Sequence, residues 1–276
     1  MRLRSLLFVP GDRPERFDKA AASGADALIL DLEDSVASER KPEARSAVAD
    51  WLAKPRSIPA FVRVNPLDSG MTLLDLSAVM PRGPDGLVLP KAEGAECIAS
   101  LVHLVGNSVV PPILPIATET PAAIFQLGTY ASTAEHLAGL TWGAEDLPAA
   151  IGATTSREEG GNYTPPYEMA RSLTLFGAHA AGVPAIETVY PAFRDLDGLA
   201  RYAARAARDG FTGMMAIHPS QISVINAAFT PSDETIAHAK AVVAAFAANP
   251  SAGALQLDGK MIDAPHLKLA MRLLAS

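Results

Sequence analysis

The stretch Trp142-Gly143-Ala144-Glu145-Asp146-Leu147 places two carboxylates after a glycine, directly behind the apolar run His136 to Thr141. Carboxylate oxygens are what a hard divalent cation binds, and Mg²⁺ takes only one or two of them from protein. The same pair also reads as the cap of a following helix. Taken alone, the stretch favours the cap. Other residues change the balance. Asp31, Glu33 and Asp34 follow the run Ala27 to Leu30, and Arg63 and Asn65 end the run Phe61 to Val64. Lys91 follows Gly86 to Leu89, Glu119 follows Pro112 to Ala117, Glu187 lies within Val183 to Val189, and His218 follows Gly213 to Ile217. Together they offer carboxylates for a cation and Arg or Lys for an anionic substrate. The Cys and His cluster that zinc favours is missing, so Mg²⁺ is the natural candidate.

Each residue has a plainer role beside the chemical one. Arg63 sits in an apolar run, where an unpaired charge is costly, and an ion pair to Glu33 or Asp34 would satisfy it. Lys91 reads as an exposed loop lysine or as the Schiff-base nucleophile of a metal-free aldolase. Glu119 could cap the helix expected from Pro121. Glu187 could pair with a base in the interior, and His218 is expected to be a buried, hydrogen-bonded histidine.

The elements that would position these groups are legible as eight short apolar runs, the first being Leu6 to Val9. The runs are continuous rather than alternating, as in parallel strands covered on both faces. Segments long enough for crossover helices separate them, for example 42–53, 94–105, 121–132, 167–181 and 198–209. Eight such units in 276 residues predict an α/β protein with a (β/α)8 barrel, a fold that commonly needs about 250 residues. A doubly wound sheet uses the same local pattern, but no glycine-rich phosphate fingerprint follows the first run. The barrel core is expected over 1–230, its last helix at about 231–249, and a C-terminal helical extension or lid over 250–276 that packs on its own barrel or reaches a neighbouring subunit. Within that extension 249–263 reads as irregular and 264–274 as helix. Residues 154–166, with paired glycines and paired prolines, read as a long loop, either a lid or ordinary surface.

The formal charge of −7 and the pI of about 5.4 leave no basic footprint for nucleic acid. Cys97 is the single cysteine, which excludes an internal disulfide and fits a reducing compartment. Leu6 to Val9 is too short for a signal-peptide core, and no apolar segment approaches the roughly 18 residues of a membrane span. The expectation is a cytoplasmic protein with no membrane partner.

Across nearly its whole length the sequence resembles the citrate lyase β-subunit-like branch of the HpcH/HpaI aldolase family. The resemblance rests on RSLLFVPGDRPERFDKA, ILDLEDSV with KPEAR, VRVNP, LVLPKAE, ATETP, WGAEDL, ARSL, GVPAIETVY, MAIHPSQI, FTPS and DGKMIDAP. It implies a TIM barrel, often trimeric, that carries out Mg²⁺-dependent carbon–carbon cleavage of 3-hydroxyacyl thioesters. Malyl-CoA and citramalyl-CoA are the typical substrates, giving acetyl-CoA and a 2-oxo acid. Carried over by motif, Glu119 and Asp146 are the metal ligands and Arg63 contacts substrate. Asp263 is an acid/base residue delivered into a neighbour's site, and Arg16 and Lys19 contact CoA phosphates. Glu33, Asp34, Lys91 and Glu145 complete the expected substrate-binding set. Glu187 departs from the branch, which more often has Asp. Two other outcomes fit the same motifs. One is a citrate lyase β subunit acting with α and acyl-carrier subunits; the other is a thioesterase that releases CoA by water attack.

Overall fold

The computed structural model describes residues 2–159 and 161–275. Its eight parallel strands are β1 (Ser5–Pro10), β2 (Ala27–Asp31), β3 (Ala60–Arg63), β4 (Gly86–Leu89), β5 (Ile113–Pro115), β6 (Leu140–Thr141), β7 (Ala185–Glu187) and β8 (Gly213–Ala216). Their order is β5-β4-β3-β2-β1-β8-β7-β6. The circle closes between β5 and β6 through isolated parallel bridges, Ile113 with Leu137 and Ile116 with Thr141. There the Ala117 amide donates to the Thr141 carbonyl at 2.9 Å and the Ala138 amide to the Ile113 carbonyl at 2.8 Å. The expected (β/α)8 TIM barrel is therefore the fold observed.

The helices are α1 (Phe17–Ala21), α2 (Lys41–Leu52), α3 (Thr72–Val79), α4 (Ala95–Val105), α5 (Pro121–Ile124), α6 (Asp146–Ile151), α7 (Pro165–Ala181), α8 (Leu196–Asp209), α9 (Ile222–Ala228), α10 (Asp233–Ala248) and α11 (Ala264–Ala275). The helix expected over 121–132 stops at Ile124 and continues as a 3-10 stretch, Leu127–His136, broken by a non-helical Thr133. Gly128, Thr129 and Thr133 are poor α-formers, which accounts for the change.

Strand periodicity divides the core into two layers. Leu6, Ile29, Phe61, Val88, Leu114, Ile186 and Met215 fill the barrel interior. Leu7, Leu28, Val62, Leu87 and Ala185 face outward and belong to the cluster that also includes Val48 of α2, Ile98 of α4 and Leu199 of α8. Gly86 is required by this packing, since a Cβ there would lie 2.2 Å from the Phe61 ring.

The described residues divide into two compact units, Leu3–Phe229 and a smaller one made of Arg2 and the residues from Thr230 onward. The first is the barrel, with α9 as its last helix. In the second, α10 packs with α11, and residues expected to be irregular instead form an antiparallel hairpin, β9 (Ala254–Leu257) and β10 (Lys260–Asp263). Its turn is Asp258-Gly259, with φ of 50° and 77°. Two left-handed residues in a two-residue turn match the right-handed twist of a hairpin, and Asp-Gly tolerates them best. Val242, Phe246, Ile262 and Ala270 form this unit's own core.

Candidate active site

Strand parity decides which charged residues enter the barrel. Asp31 and Arg63 share the inward phase of Ile29 and Phe61 and so cap the interior layer at the strands' C-terminal ends. Arg63 donates from Nε to Asp31 Oδ1 at 2.6 Å and from Nη2 to Asp31 Oδ2 at 2.7 Å. Its Nη1 lies 3.0 Å from Glu33 Oε2, and its guanidinium lies 4.8 Å from the centre of the Phe8 ring. Arg63 is thus ion-paired, with Asp31 and Glu33. Two of its five N–H donors serve Asp31, so others remain for a ligand. Burial raises Asp31's pKa, but the Arg63 charge and hydrogen bonds from Arg63, Ser35 and the Glu33 amide outweigh it and leave the group below its ordinary value.

Lys91 joins the two halves of the site. It holds a left-handed backbone, φ 51°, which a non-glycine residue seldom adopts. This conformation accompanies a 2.6 Å hydrogen bond from its amide to Glu119 Oε2. Its ammonium donates to Glu33 Oε1 at 2.6 Å and lies 3.7 Å from both Asp34 Oδ2 and Asp146 Oδ1. Burial lowers the Lys91 pKa, but Glu33, then Asp146 and Glu119, raise it above the ordinary lysine value. A Schiff-base lysine must lose its proton to attack. Lys91 is held in the charged state, and the metal-free aldolase reading loses its nucleophile.

Glu119 and Asp146 follow the neighbouring strands β5 and β6. Glu119 is 5% exposed. Burial, with the negative charges of Asp146 and Glu33, lifts its pKa to about 8 even though the Lys91 amide opposes the rise. Neither carboxylate is consumed by a cap. Thr120 caps α5 by accepting from the Ala123 amide, and α6 starts at Asp146 with no side-chain cap from Glu145. Gly143 makes room for the pair: a Cβ there would lie 2.7 Å from Glu119 Cγ and 2.9 Å from its Oε1. Among the described residues no group of three or more Cys, His, Asp or Glu is placed to hold a metal. An acidic pair of one buried carboxylate, Glu119, and one half-buried carboxylate, Asp146, is instead what Mg²⁺ fits, with waters and substrate supplying its other oxygens.

A buried network below the site was not read from the sequence. Lys41 of α2 is 7% exposed, and burial lowers its pKa more than Asp31, Asp75 and Glu33 raise it. Its ammonium donates to the carbonyls of Leu32 and Glu33 at 2.8 and 2.9 Å and to Asn65 Oδ1 at 2.7 Å. Asn65 in turn donates to Asp75, which also accepts from Arg45 at 2.6 Å. This lattice fixes the backbone that carries Glu33. The motif KPEAR held the signal, but a lysine is seldom buried, and only contact shows that this one is.

Other candidates fall elsewhere. Glu187 has the outward phase of Ala185 and is fully buried. It accepts from Arg171 Nε at 2.7 Å, the Tyr202 hydroxyl at 2.9 Å, the Thr188 amide at 2.9 Å and the Trp142 indole N–H. Its base is thus Arg171 of α7, outside the barrel interior, and it does not join the pocket set. His218 is exposed, contrary to expectation, because its Nδ1 caps the turn Pro219–Gln221. Glu145 and Asp34 are exposed at the rim, as are Arg16 and Lys19 beyond β1. Within the segment expected as a loop, the described residues 154–159 and 161–166 are anchored: Arg157 pairs with Tyr163, and the Tyr163 ring meets Trp142 edge-on at 5.0 Å. Asp263 ends β10 in the smaller unit, where His266 Nδ1 lies 2.5 Å from its Oδ1 and lowers its pKa.

The model of the HpcH/HpaI aldolase/citrate lyase family matches residues 4–219. The chain belongs to that family. It is accordingly an enzyme of the carbon–carbon lyase class. A citrate lyase subunit beta-like protein of Mycobacterium tuberculosis is 38% identical over 97% of this chain and 93% of its own length. The mitochondrial citramalyl-CoA lyase of Mus musculus is 35% identical over 98% of this chain and 84% of its own. Among solved structures, Mycobacterium tuberculosis CitE in complex with magnesium, acetoacetate and coenzyme A superposes with a TM-score of 0.85 at 36% identity, covering 99% of this chain and 97% of that one. Among the described residues no helix is long and apolar enough to cross a membrane.

Proposed function

We propose that this chain is a Mg²⁺-dependent lyase that cleaves a 3-hydroxyacyl-CoA thioester of the malyl-CoA or citramalyl-CoA type into acetyl-CoA and a 2-oxo acid. The observation that carries this reading is the junction at Lys91. One residue presents its amide to Glu119 and its ammonium to Glu33, beside Asp146 and the Arg63 pair. Glu119 and Asp146 would hold Mg²⁺, which supplies Lewis-acid polarisation of the oxo-acid oxygens and a template for them. The complex of the related CitE with magnesium, acetoacetate and coenzyme A supports that cofactor and that substrate class.

The chain's own residues then act on charge and protons. Cleavage breaks the bond between the thioester α-carbon and the hydroxyl-bearing carbon. The hydroxyl proton passes to a carboxylate base, proposed as Asp263 in its ionised form, a carbonyl forms, and the electron pair passes to the thioester enolate. Arg63, locked by Asp31 and resting on Phe8, offers its remaining N–H donors to the developing anion without reorganising, which is the source of electrostatic catalysis. Lys91 adds fixed positive charge, and Glu33 keeps both cations in place. The enolate carbon must gain one proton to become acetyl-CoA. Asp263, delivered from a neighbouring subunit of a homotrimer, is the proposed acid.

Incubation with Mg²⁺ and malyl-, methylmalyl- and citramalyl-CoA, with products identified by mass, tests this reading. Acetyl-CoA or propionyl-CoA with a 2-oxo acid is expected. Free CoA with an intact hydroxy acid would identify a thioesterase. Cleavage confined to citryl thioester on an acyl carrier protein would identify a citrate lyase β subunit. Asp263→Asn is expected to lower turnover by about 10²–10⁴-fold, the usual contribution of a general acid. Near-normal turnover would remove Asp263 from the chemistry.

A further inference from the structure

The strand parity of the hairpin turns one acid outward. Ile262 of β10 is 3% exposed and belongs to the core of the smaller unit, so its neighbours Met261 and Asp263 lie on the opposite face. Met261 is 67% exposed, in keeping with that phase. Asp263 pairs with Ala254 across the hairpin and immediately precedes α11. It therefore stands at the N-cap of that helix, with Pro265 in the first turn and His266 three residues on.

An N-cap acid with a side chain that reaches back from the third helical position is the layout of a capping box. In that motif the third side chain accepts from the N-cap amide, as Glu or Gln does. His266 departs from it. Its Nδ1 lies 3.3 Å from the Asp263 amide nitrogen but 2.5 Å from Asp263 Oδ1. Two lone pairs repel at the shorter distance, so Nδ1 carries a proton and donates it to the carboxylate. A ring nitrogen that donates has no lone pair left for the amide. The imidazole thus serves the carboxylate rather than the cap.

Packing does not demand this pair. The side chains of His266 and Asp263 are 51% and 34% exposed, while Leu267, Ala270 and Leu273 carry the contact of α11 with the unit's core. The hydrogen bond from His266 is the largest influence on the Asp263 carboxyl and outweighs its desolvation, leaving the pKa below the ordinary value. The elements around the pair bear other titratable groups: Asp258 and Lys260 on the hairpin, Lys268 and Arg272 on α11, and Asp233, Glu234, His238 and Lys240 on α10. All of these are exposed, where solvent and salt screen them.

We propose that His266 is a positioning residue for Asp263: its Nδ1–H holds Oδ1, leaving Oδ2 as the oxygen that takes the substrate's hydroxyl proton and returns it to the enolate carbon. This rests on the role proposed above for Asp263. The proton balance closes without the imidazole. Asp263 becomes a carboxylic acid as the carbon–carbon bond breaks and a carboxylate again when the enolate carbon is protonated, while His266 keeps its own proton throughout. A hydrogen bond to the ionised form keeps the base ready, and it makes the acid formed in cleavage a readier donor.

Two variants of the intact protein test this. His266→Leu removes the donor, and His266→Asn keeps an N–H near the place of Nδ1. The first readout needs no substrate. The Asp263 carboxyl carbon is titrated by NMR in protein with labelled aspartate, and assigned by its loss in Asp263→Asn. Its pKa is expected to rise in His266→Leu and to stay low in His266→Asn. The second readout is the pH profile of kcat/KM for the CoA ester. The base must be ionised, so activity falls as pH drops through the Asp263 pKa. That acidic limb should move to higher pH in His266→Leu and return in His266→Asn. The plateau above it should fall about tenfold in His266→Leu, because an untethered carboxylate is less often in place, and recover in His266→Asn.

An Asp263 pKa that does not move in His266→Leu overturns the proposal. So does a plateau that falls equally in both variants with the acidic limb in place, the mark of a helix cap alone. A carboxyl that shifts while the acidic limb of an active lyase stays also overturns it. A carboxyl that shifts as expected in a protein that cleaves none of the thioesters upholds the tether and sinks the lyase reading.

Discussion

Two buried glutamates at strand ends, each beside an arginine, have opposite fates in this barrel. Glu187 faces the helix layer and receives hydrogen bonds from Trp142, Arg171, Tyr202 and Thr188, so its charge is fully answered within the protein. Glu119 lies beyond β5, receives one backbone amide, and faces Asp146 and Glu33. Burial first, and then those two carboxylates, push its pKa up to about 8. The difference teaches that burial and an arginine nearby do not mark a functional carboxylate. What marks it is a buried charge left with one backbone hydrogen bond and facing other carboxylates, which an added cation would relieve.

Breaking the two clusters should therefore produce different kinds of loss. The largest effect is expected at the Glu119 and Asp146 pair: Glu119→Ala or Asp146→Ala should abolish Mg²⁺-dependent turnover, and excess EDTA should do the same to wild type. Full activity in EDTA would end the metal reading. At the answered cluster the loss should be in folding. Glu187→Ala strands Arg171 in the interior and should cost about 3–5 kcal/mol in denaturant unfolding, as removal of one member of a buried pair does. The Mg²⁺ affinity of the folded fraction should be unchanged.

A smaller effect is expected from Gly143→Ala. The new Cβ would displace the Glu119 side chain, lowering Mg²⁺ affinity by about tenfold, within the range seen for supporting groups at metal sites, with the fold intact. The smallest is a slope. Glu119's folded pKa is raised from 4.5 to about 8. Its contribution to metal-free stability is thus full below about 4.5 and lost as pH rises through about 8. Thermal melts should show this decline, saturating Mg²⁺ should remove it, and Glu119→Gln should flatten it without metal.

The barrel was legible because parallel strands covered on both faces must be apolar without interruption, and each such run ended in the polar residues that form the rim. Glu119, Asp146, Arg63, Lys91, Glu33 and Asp34 were all found at those ends. What the list lacked was phase. Counting in twos from Ile186 sends Glu187 outward, while the same count from Phe61 sends Arg63 inward. The hairpin of the smaller unit was missed despite Asp258-Gly259, because its strands are short and half-exposed, with no apolar run to announce them. Lys41 was missed for the opposite reason: its burial depends on carbonyls and an amide that tertiary structure alone brings together.

The closure of the barrel carries a further consequence. Along most of the circle, neighbouring strands share continuous ladders, but β5 and β6 meet only at isolated bridges. Glu119 and Asp146 stand just past this seam, one on each side. A cation held by both would act as a staple across the least laced part of the wall. Amides of Ala117 and Ala138 should then exchange with deuterated solvent faster than those of β1 and β2, and Mg²⁺ should slow them selectively. The metal that serves the chemistry would thereby also finish the cylinder.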